Sequence, residues 1–291
     1  MRTLDRIILY IEIIGYWTLP AKAMILIQYR IRIGDKLDLT NPKKFNEKMQ
    51  WLKLYWRDPL LTICADKWTV RSFVKDRIGE DYLIDIIGIF DKTSEIDLNK
   101  LPDKFILKST HGSHWNIIVN EKGKEDWKKI SNQLRRWLKK NYSYYGHEWV
   151  YKNIIPRIIC EKLLLDEYGN LPMDYKIFCF NGNPRFIQVD IDRHTNHRRN
   201  IYDTSWNLLP FEIYYPMAPD AILGKPKHLE EILGISRRLS VGFCFVRVDL
   251  YYVQEKIYFG EMTFIHASGY ERFRPQEYDR FFGDHIILPH S

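Results

Sequence analysis

Near its C-terminus the chain reads Phe245-Val-Arg-Val-Asp-Leu-Tyr-Tyr-Val-Gln-Glu-Lys-Ile-Tyr-Phe-Gly-Glu-Met-Thr-Phe264. Two apolar-rich runs flank a polar turn, a pattern that predicts an antiparallel β-hairpin. Because side chains alternate between the two faces of a strand, Arg247 and Asp249 share one face of the first strand. For the same reason Glu261 and Thr263 share one face of the second strand.

The length of the hairpin loop sets which residues meet across the pair. A loop with an odd number of residues, such as 254–256, places Asp249 opposite Glu261 and Arg247 opposite Thr263, whereas one residue more or less puts the acids on opposite faces. The odd loop also pairs the two apolar faces, and we therefore predict it. Two acids this close require a neutralising partner, which a divalent cation with an anionic ligand would supply.

Composition describes a globular protein with an excess of positive charge. The 291 residues are 45% hydrophobic, enough for a large core in one broad domain or two lobes, and the net charge of +7 favours an anionic partner. Much of that charge lies in residues 122–140, whose apolar spacing predicts an amphipathic helix with a basic face. Because no nucleic-acid-binding motif accompanies this segment, no nucleic-acid partner is expected.

The cysteines and the N-terminal segment bear on location. The cysteines are scattered and form no Cys-x-x-Cys pair, which predicts reduced core residues in a cytoplasmic protein and no zinc site. Residues 7–33 are apolar but interrupted by charges and a proline, so they are too short to span a bilayer. They predict a helical pair packed on the body; the alternative is an amphipathic segment that touches the inner face of a membrane.

The order of the predicted elements indicates the fold class. Helices come first, then mixed helices and strands, then an antiparallel sheet with helices, which predicts an α+β protein. Helices are predicted from Asn41 onward and over residues 66–79, 122–140 and 228–240. Strands are predicted over residues 82–90, 105–108, 117–119, 158–161, 173–181 and 184–190. Asn181-Gly-Asn183 predicts a hairpin turn, and residues 192–200 predict a loop.

Three segments carry residues suited to binding a nucleotide. Lys108 ends a strand and precedes the small-residue loop Ser109-Thr-His-Gly-Ser113, where an ammonium and backbone N–H groups would point at phosphate oxygens. Lys67, at a predicted helix start, is a weaker candidate of the same kind. The strand-to-loop step at residues 161–165 is typical of connectors that bind a nucleobase. Each has an ordinary alternative, a solvated lysine or a plain strand end.

Two further segments suit an acidic substrate. Asp174 and Lys176 share one face of a strand, as a site or as a solvent-exposed ion pair. Residues 190–199 are dense in groups for anion binding and proton transfer. The arginines would clamp a carboxylate or a sugar acid, and the histidines would act as bases. These side chains are Arg193, Arg198, Arg199, His194 and His197.

Taken in chain order, several motifs resemble the TupA-like ATP-grasp family, whose members often belong to gene clusters for surface polysaccharides. The motifs are Asn41-Pro-Lys-Lys-Phe-Asn-Glu-Lys-Met-Gln-Trp51, Ala65-Asp-Lys67, Phe105-Ile-Leu-Lys-Ser-Thr-His-Gly-Ser113, Asp174-Tyr-Lys-Ile-Phe-Cys-Phe-Asn-Gly182, Trp206-Asn-Leu-Leu-Pro210, and Val246-Arg-Val-Asp-Leu250 with Gly260-Glu-Met-Thr263. The resemblance runs from about residue 38 to the end. It implies an α+β ATP-grasp fold with a helical region (1–62), an N-terminal lobe (63–157) and a C-terminal lobe (158–291) that clasp ATP.

The resemblance also implies roles for individual residues. Asp249 and Glu261 would hold Mg²⁺, Thr263 takes the place of an Asn found in many ATP-grasp enzymes, and Arg247 would stabilise the transferring phosphoryl group. The implied catalytic residues are Arg247, Lys108 and Arg193, and the implied metal ligands are Asp249, Glu261 and Thr263. The implied nucleotide-binding residues are Lys67, Lys108, Ser109, His111, Gly112, Ser113, Glu161, Lys162, Leu163, Leu164, Asp174 and Lys176.

The implied reaction is a two-step amide ligation with ATP and Mg²⁺ as cofactors. A carboxylate attacks the γ-phosphate to form an acyl phosphate, and an amine then displaces phosphate. The expected partners are an acidic saccharide, such as a uronic acid of a surface polysaccharide or its precursor, and a small amine. One alternative is a glycosyltransferase that uses a nucleotide sugar, with Asp190-Ile-Asp192 as its acidic pair. Another is a non-catalytic nucleotide-binding module, suggested by Thr263 and by the bulky His114 and Trp115 beside the phosphate loop. The oligomeric state is left open.

Overall fold

The structure is a computed structural model that describes residues 15–193, 195–221 and 223–289. Its helices are α1 Ala21–Arg32, α2 Phe45–Tyr55, α3 Pro59–Ala65, α4 Val70–Ile78, α5 Trp127–Leu138, α6 Leu229–Ser240 and α7 Glu277–Asp284. Its strands are β1 Ile86–Phe90, β2 Phe105–Ser109, β3 Asn116–Val119, β4 Ile158–Lys162, β5 Asp174–Phe180, β6 Asn183–Ile191, β7 Arg198–Asp203, β8 Glu212–Ile213, β9 Phe245–Val253, β10 Lys256–Thr263 and β11 Phe273–Arg274.

Two antiparallel sheets form the framework. One has four strands in the order β1-β4-β2-β3, the other has five in the order β10-β9-β5-β6-β7, and β8 pairs with β11. Antiparallel sheets combined with helices confirm the predicted α+β class. The predicted lobe boundary between residues 157 and 158 falls just before β4, inside the four-stranded sheet, and the division into three regions stays a prediction.

Side-chain alternation along β5 divides the larger sheet into two faces. Cys179 contacts Ser236 of α6 on one face, with 3.8 Å between Sγ and the carbonyl oxygen. On the other face Phe178 packs against Phe45 of α2 and Phe282 of α7. Asp174 and Lys176 share the face of Phe178, beyond these helices. The start of this strand therefore presents two largely buried polar side chains to the cleft described below, while its end is covered by the core.

The four-stranded sheet has its own core beneath α5. The apolar side of this basic helix packs on β2 and β4 through Phe105, Leu107, Ile130, Leu134, Trp137, Ile158 and Cys160. The Asp126 carboxylate caps the helix by accepting a hydrogen bond from the backbone N–H of Lys129 at 3.0 Å. The predicted amphipathic helix is therefore confirmed, with its basic residues on the side away from the core.

Two predicted segments differ from the structure. The helix predicted over residues 66–79 is α4, which begins only at Val70, because the Asp66 side chain accepts from the N–H of Trp68 at 2.9 Å and forms a turn. A helix that the sequence did not predict, α3, precedes it and is capped by Asp58 ahead of Pro59. The predicted loop 192–200 overlaps β7, which begins at Arg198. Ion pairs neutralise the charges in that segment, so a cationic sequence can occupy a strand.

The β9–β10 hairpin has the predicted register but not the predicted loop. Its loop has two residues, Gln254 and Glu255, with φ of 50° and 61°, as in a type I′ turn. That loop alone would place the acids on opposite faces, but Gly260 forms a bulge that shifts the pairing by one residue. Asp249 therefore lies opposite Glu261, and Arg247 opposite Thr263. A Cβ at Gly260 would lie 2.9 Å from the Asp249 carbonyl oxygen, so the bulge requires glycine.

The N-terminal helix α1 packs on the body. Ile25 and Tyr29 are buried together with Leu37 and Tyr270. Residues 7–14 of the predicted helical pair lie outside the described residues, and the predicted membrane contact stays a prediction. In the part of the chain that the structure describes, no helix is both long enough and apolar enough to cross a bilayer. The cysteines are unpaired, and all but Cys244 are fully buried.

Candidate active site

A cleft of about 730 Å³ is lined by side chains from both sheets. Lys108 of β2 and Asn116 of β3 come from the four-stranded sheet, and each of β5, β6, β7, β9 and β10 of the five-stranded sheet supplies polar side chains. The predicted site residues that line this cleft are Lys67, Lys108, Ser113, Asp174, Lys176, Arg193, Arg247, Asp249, Glu261 and Thr263. Residues from distant parts of the sequence thus meet in one space.

The β9–β10 hairpin places an arginine between its two acids. Arg247 Nε donates to Asp249 Oδ1 at 2.7 Å, and Nη2 donates to Oδ2 at 2.7 Å, a bidentate and charge-assisted contact. Nη2 also lies 3.3 Å from Glu261 Oε1 and 3.2 Å from Thr263 Oγ1. This arrangement depends on the Gly260 bulge, because without it Glu261 and Thr263 would face away from Arg247.

The two acids have different electrostatic environments. Burial raises the pKa of Asp249 to about 6, although Arg247 and Lys176 oppose the shift. Burial also acts to raise the pKa of Glu261, but Lys67, Arg247 and Lys176 outweigh it and hold the pKa below its ordinary value. A further positive charge beside Asp249 would favour its ionised form. The pair therefore suits a bound cation.

Lys67 and Lys108 supply positive charge from outside the hairpin. Lys67 Nζ donates to the carbonyl oxygen of Gly112 at 2.5 Å, and Lys108 Nζ donates to Glu161 Oε2 at 2.6 Å. Burial lowers the pKa of Lys67, and repulsion from Lys108 adds to that effect. For Lys108 burial acts in the same direction, but the Glu161 carboxylate outweighs it and the pKa is raised. An anionic ligand would stabilise both ammonium groups.

Part of the predicted phosphate loop points away from the cleft. Ser109 and His111 are buried, with 2.8 Å between Ser109 Oγ and His111 Nδ1, and His111 Nε2 lies 3.1 Å from the carbonyl oxygen of Trp137. Because that carbonyl only accepts, the imidazole proton lies on Nε2. Gly112 has its carbonyl on Lys67, and Ser113 lines the cleft. The buried pair Ser109 and His111 therefore anchors the loop to α5, through the contact of His111 with Trp137.

None of the predicted adenine-binding residues of the connector, 161–164, is among the described residues that line the cleft. Glu161 is buried between Lys108 and Arg71, whose Nη1 is 3.5 Å from Glu161 Oε1. Leu163 is buried, and the two remaining positions, Lys162 and Leu164, are exposed and half-buried respectively. Binding of adenine by these residues stays a prediction.

A second charged cluster surrounds Asp190 of β6. Its carboxylate accepts from Arg199 Nε at 2.7 Å and from Arg193 Nη2 at 3.3 Å, and it lies 3.2 Å from Lys176 Nζ and from His197 Nε2. Burial acts to raise its pKa, but Arg199 and Lys176 outweigh it and the pKa falls well below its ordinary value. The sequence placed this acid only in an alternative function. His194, a predicted base, lies outside the described residues.

Sequence reasoning missed two side chains that connect the clusters. Arg247 Nη1 donates to His266 Nδ1 at 2.8 Å, and His266 Nε2 donates to Glu271 Oε2 at 2.8 Å. Arg199 Nη1 donates to the same Glu271 oxygen at 3.0 Å. Burial lowers the pKa of His266, so the ring is neutral with its proton on Nε2. His266 follows the end of β10, where strand alternation no longer predicts direction, and left-handed Ala267 comes directly after it.

Solved structures with limited similarity to this chain include three ligases. D-alanine–D-alanine ligase from Bacillus anthracis, complexed with ATP, is 16% identical with a TM-score of 0.42, covering 71% of this chain and 56% of that chain. The same enzyme from Helicobacter pylori is 16% identical with a TM-score of 0.42, covering 78% of this chain and 64% of that chain. Phosphoribosylamine–glycine ligase from Thermotoga maritima is 10% identical with a TM-score of 0.42, covering 70% of this chain and 48% of that chain. The chain spans less than two thirds of the length of each.

The family comparison covers most of the sequence. No curated protein matches the chain. The model of the family described as TupA-like ATP-grasp matches residues 47–287, a range that contains both sheets and every residue of the cleft named above. The chain therefore belongs to the TupA-like ATP-grasp family and has its α+β ATP-grasp fold.

Proposed function

We propose that this protein is an ATP- and Mg²⁺-dependent carboxylate–amine ligase. The observation that carries the proposal is the meeting, in one cleft, of Asp249 and Glu261 with Lys67, Lys108 and Arg247. Two acids suit a divalent cation, and three cations suit a polyphosphate. Membership of an ATP-grasp family supports the same assignment of ligands.

The hairpin acids fit Mg²⁺ by their chemistry. Carboxylate and hydroxyl oxygens of Asp249, Glu261 and Thr263 are the hard ligands that this ion prefers. Among the described residues, no group of three His, Cys, Asp or Glu side chains is placed to hold a metal without help. The ion would therefore take its other ligands from water and from the phosphates of ATP, as is usual for Mg²⁺. When bound it would neutralise charge on the transferring phosphoryl group.

The side chains of the cleft position substrates and compensate charge. Lys67 and Lys108 would bind phosphate oxygens, and Arg247 would stabilise the phosphoryl group during transfer. The substrate carboxylate attacks the γ-phosphorus, the bond to the bridging oxygen breaks, and ADP leaves. The amine then attacks the acyl carbon and phosphate leaves. Because the substrate itself is the nucleophile, the protein needs no nucleophilic side chain.

The cluster around Asp190 supports an acidic saccharide as the carboxylate substrate. Arg193 and Arg199 both line the cleft, and a guanidinium pairs well with a carboxylate. We propose a uronic acid of a capsular, O-antigen or cell-wall polysaccharide, or of its precursor, and an amino acid or amine as the second substrate. The polysaccharide context comes from the family resemblance.

Release of ADP tests the proposal. Wild-type protein with ATP and Mg²⁺ is screened against uronic acids crossed with amines, and we expect turnover that needs both. Asp249→Asn and Glu261→Gln should each abolish it, whereas Asp220→Asn, an exposed acid outside the cleft lining, should not. Full turnover by either hairpin variant would overturn the metal assignment.

The glycosyltransferase alternative needs Asp190 and Asp192 to act together on a metal. Asp190 lines the cleft but Asp192 does not, since it lies beyond the end of β6 with its Oδ2 2.9 Å from Arg198 Nη2. Asp249 and Glu261 both line the cleft, and this difference favours the ligase. Calorimetry separates the two, because tight binding of a nucleotide sugar without binding of ATP would overturn the ligase proposal.

A further inference from the structure

A second pocket, of about 280 Å³, shares part of its lining with the cleft, and neither hairpin acid lines it. It is lined by Arg32, Tyr214, Tyr270, Arg272 and Arg274, and two of these residues, Arg32 and Tyr270, also line the cleft. We call this pocket the arginine groove. The cleft and the arginine groove thus share a boundary, and the walls of the groove are arginine and tyrosine side chains.

The groove is held together by contacts between α1 and the chain before β11. Arg272 Nε and Nη2 donate to the carbonyl oxygen of Arg32 at 3.0 and 2.8 Å. That carbonyl ends α1, where positive charge is favourable. The Arg32 guanidinium lies over the ring of Tyr270, 5.1 Å from its centre. One wall of the groove is therefore fixed by the packing of the N-terminal helix.

Tyr214 connects the groove to the interior of the cleft. Its φ is +63°, which is unusual for an aromatic residue and marks a conformation that the surroundings enforce. Its N–H donates to the carbonyl oxygen of Arg272 at 2.9 Å, and 59% of its surface stays exposed. Its ring meets Tyr215 edge-on at 4.8 Å, and the Arg199 guanidinium lies 4.9 Å from the Tyr215 ring. One guanidinium and two aromatic rings therefore form a chain of contacts from the cleft to the groove.

The groove carries positive charge that is available to a ligand. Arg274 lies opposite Glu212 in the β8–β11 pair, with 3.8 Å between Nη1 and Oε2. At that distance the contact is weak, and 70% of the Arg274 side chain is exposed. An anionic group entering the groove would meet this guanidinium.

We propose that the arginine groove binds the saccharide units next to the reacting uronic acid, so that the acceptor is an acidic oligo- or polysaccharide and not a single sugar acid. This rests on the proposed function. A single sugar acid held by Arg193 and Arg199 would leave the groove empty, and a longer chain would fill it. Tyrosine rings pack on the C–H faces of sugars, and guanidinium groups pair with their carboxylates.

Calorimetry without ATP tests this independently of turnover. The probes are galacturonate and hexagalacturonate, with maltohexaose as the neutral chain and a single-stranded oligodeoxynucleotide as a different polyanion. We expect hexagalacturonate to bind at least tenfold more tightly than galacturonate, and maltohexaose not to bind. The double variant Tyr214→Ala/Arg274→Ala should lose about fivefold or more of the hexamer affinity and leave monomer affinity unchanged. Arg280→Ala, an equally exposed arginine on α7, should change neither.

Three outcomes would contradict the proposal that the arginine groove binds an acidic saccharide chain. They are equal affinity for galacturonate and hexagalacturonate, hexagalacturonate binding that the double variant does not change, and tighter binding of the oligonucleotide that the double variant weakens. Tight binding of hexagalacturonate without any ADP release would support the proposal for the groove and contradict the ligase proposal. Thermal unfolding of each variant at the wild-type temperature shows that a loss of affinity is not a loss of fold.

Discussion

Replacement of Gly260 by alanine tests how the metal-binding acids are brought to one face. In the structure a Cβ at this position would lie 2.9 Å from the carbonyl oxygen of Asp249 and 3.1 Å from Cε2 of Tyr251. A backbone atom of a central strand cannot move aside as the end of a side chain can. Strain of this kind costs about 1–3 kcal/mol of the free energy of unfolding.

The hairpin can relieve that strain by giving up the bulge. The pairing of β10 would then follow the two-residue loop along its whole length, and a one-residue change of register moves every later side chain to the other face. Glu261 and Thr263 would leave the cleft. We therefore expect Gly260→Ala to reduce ATP-dependent turnover at least tenfold in addition to lowering stability.

Urea unfolding followed by tryptophan fluorescence measures the stability change, and a thermal shift with ATP and Mg²⁺ measures binding. Gly234→Ala is the matched control, because Gly234 lies within α6 and an added Cβ there meets nothing within 4 Å. Alanine in a helix interior should raise stability by about 1 kcal/mol and leave binding unchanged. If Gly260→Ala and Gly234→Ala have the same free energy of unfolding and the same thermal shift with ATP and Mg²⁺, the bulge at Gly260 does not control the register of the hairpin.

Three further predictions concern buried polar groups. His266→Asn should lower kcat about 10- to 100-fold with little change in the KM for ATP, because Arg247 loses the ring that orients it; steady-state kinetics measures this. Asp190→Ala should cost about 3–5 kcal/mol in urea unfolding because it removes the buried carboxylate that Arg199, Lys176 and Arg193 share, whereas Asp192→Ala should cost less than about 1 kcal/mol. Burial raises the pKa of Asp279 to about 6 from 3.8, so its contribution to stability is full below about pH 4 and is lost as pH rises through 6, on the order of 3 kcal/mol. Between pH 4 and 7 the wild type should lose about 2–3 kcal/mol more of its free energy of unfolding than Asp279→Asn does, because the other titrating groups, Asp249 among them, contribute to both proteins.

Local patterns in the sequence predicted the elements well. Alternation along residues 245–264 predicted a hairpin in which Arg247 and Asp249 share one face of the first strand and Glu261 and Thr263 share one face of the second, and the structure has both pairs. Asn181-Gly182 predicted a turn, and both residues have positive φ between β5 and β6. These predictions succeed because alternation and turn preference depend on neighbouring residues only.

The predictions that failed concern how neighbouring elements meet. The odd loop is wrong because a bulge at Gly260 can replace an odd loop, and a single glycine in a strand does not say which of the two occurs. The loop predicted over residues 192–200 is partly β7, because Arg199 is neutralised by Asp190 and Glu271, acids that the sequence places 9 and 72 residues away. Such pairings have no local signal.

The sequence alone determined the α+β class and the hairpin, with one polar pair on a single face of each strand, because each follows from the period of the side chains along the chain. The bulge at Gly260 then placed the two pairs on the same face of the sheet. The tertiary structure decided which distant groups share the cleft: Lys67 with the hairpin acids, Lys108 with Glu161, and His266 between Arg247 and Glu271. It also decided the arginine groove, where the end of α1 meets the chain before β11. These contacts come from the packing of two sheets and a helix, which no short stretch of sequence specifies.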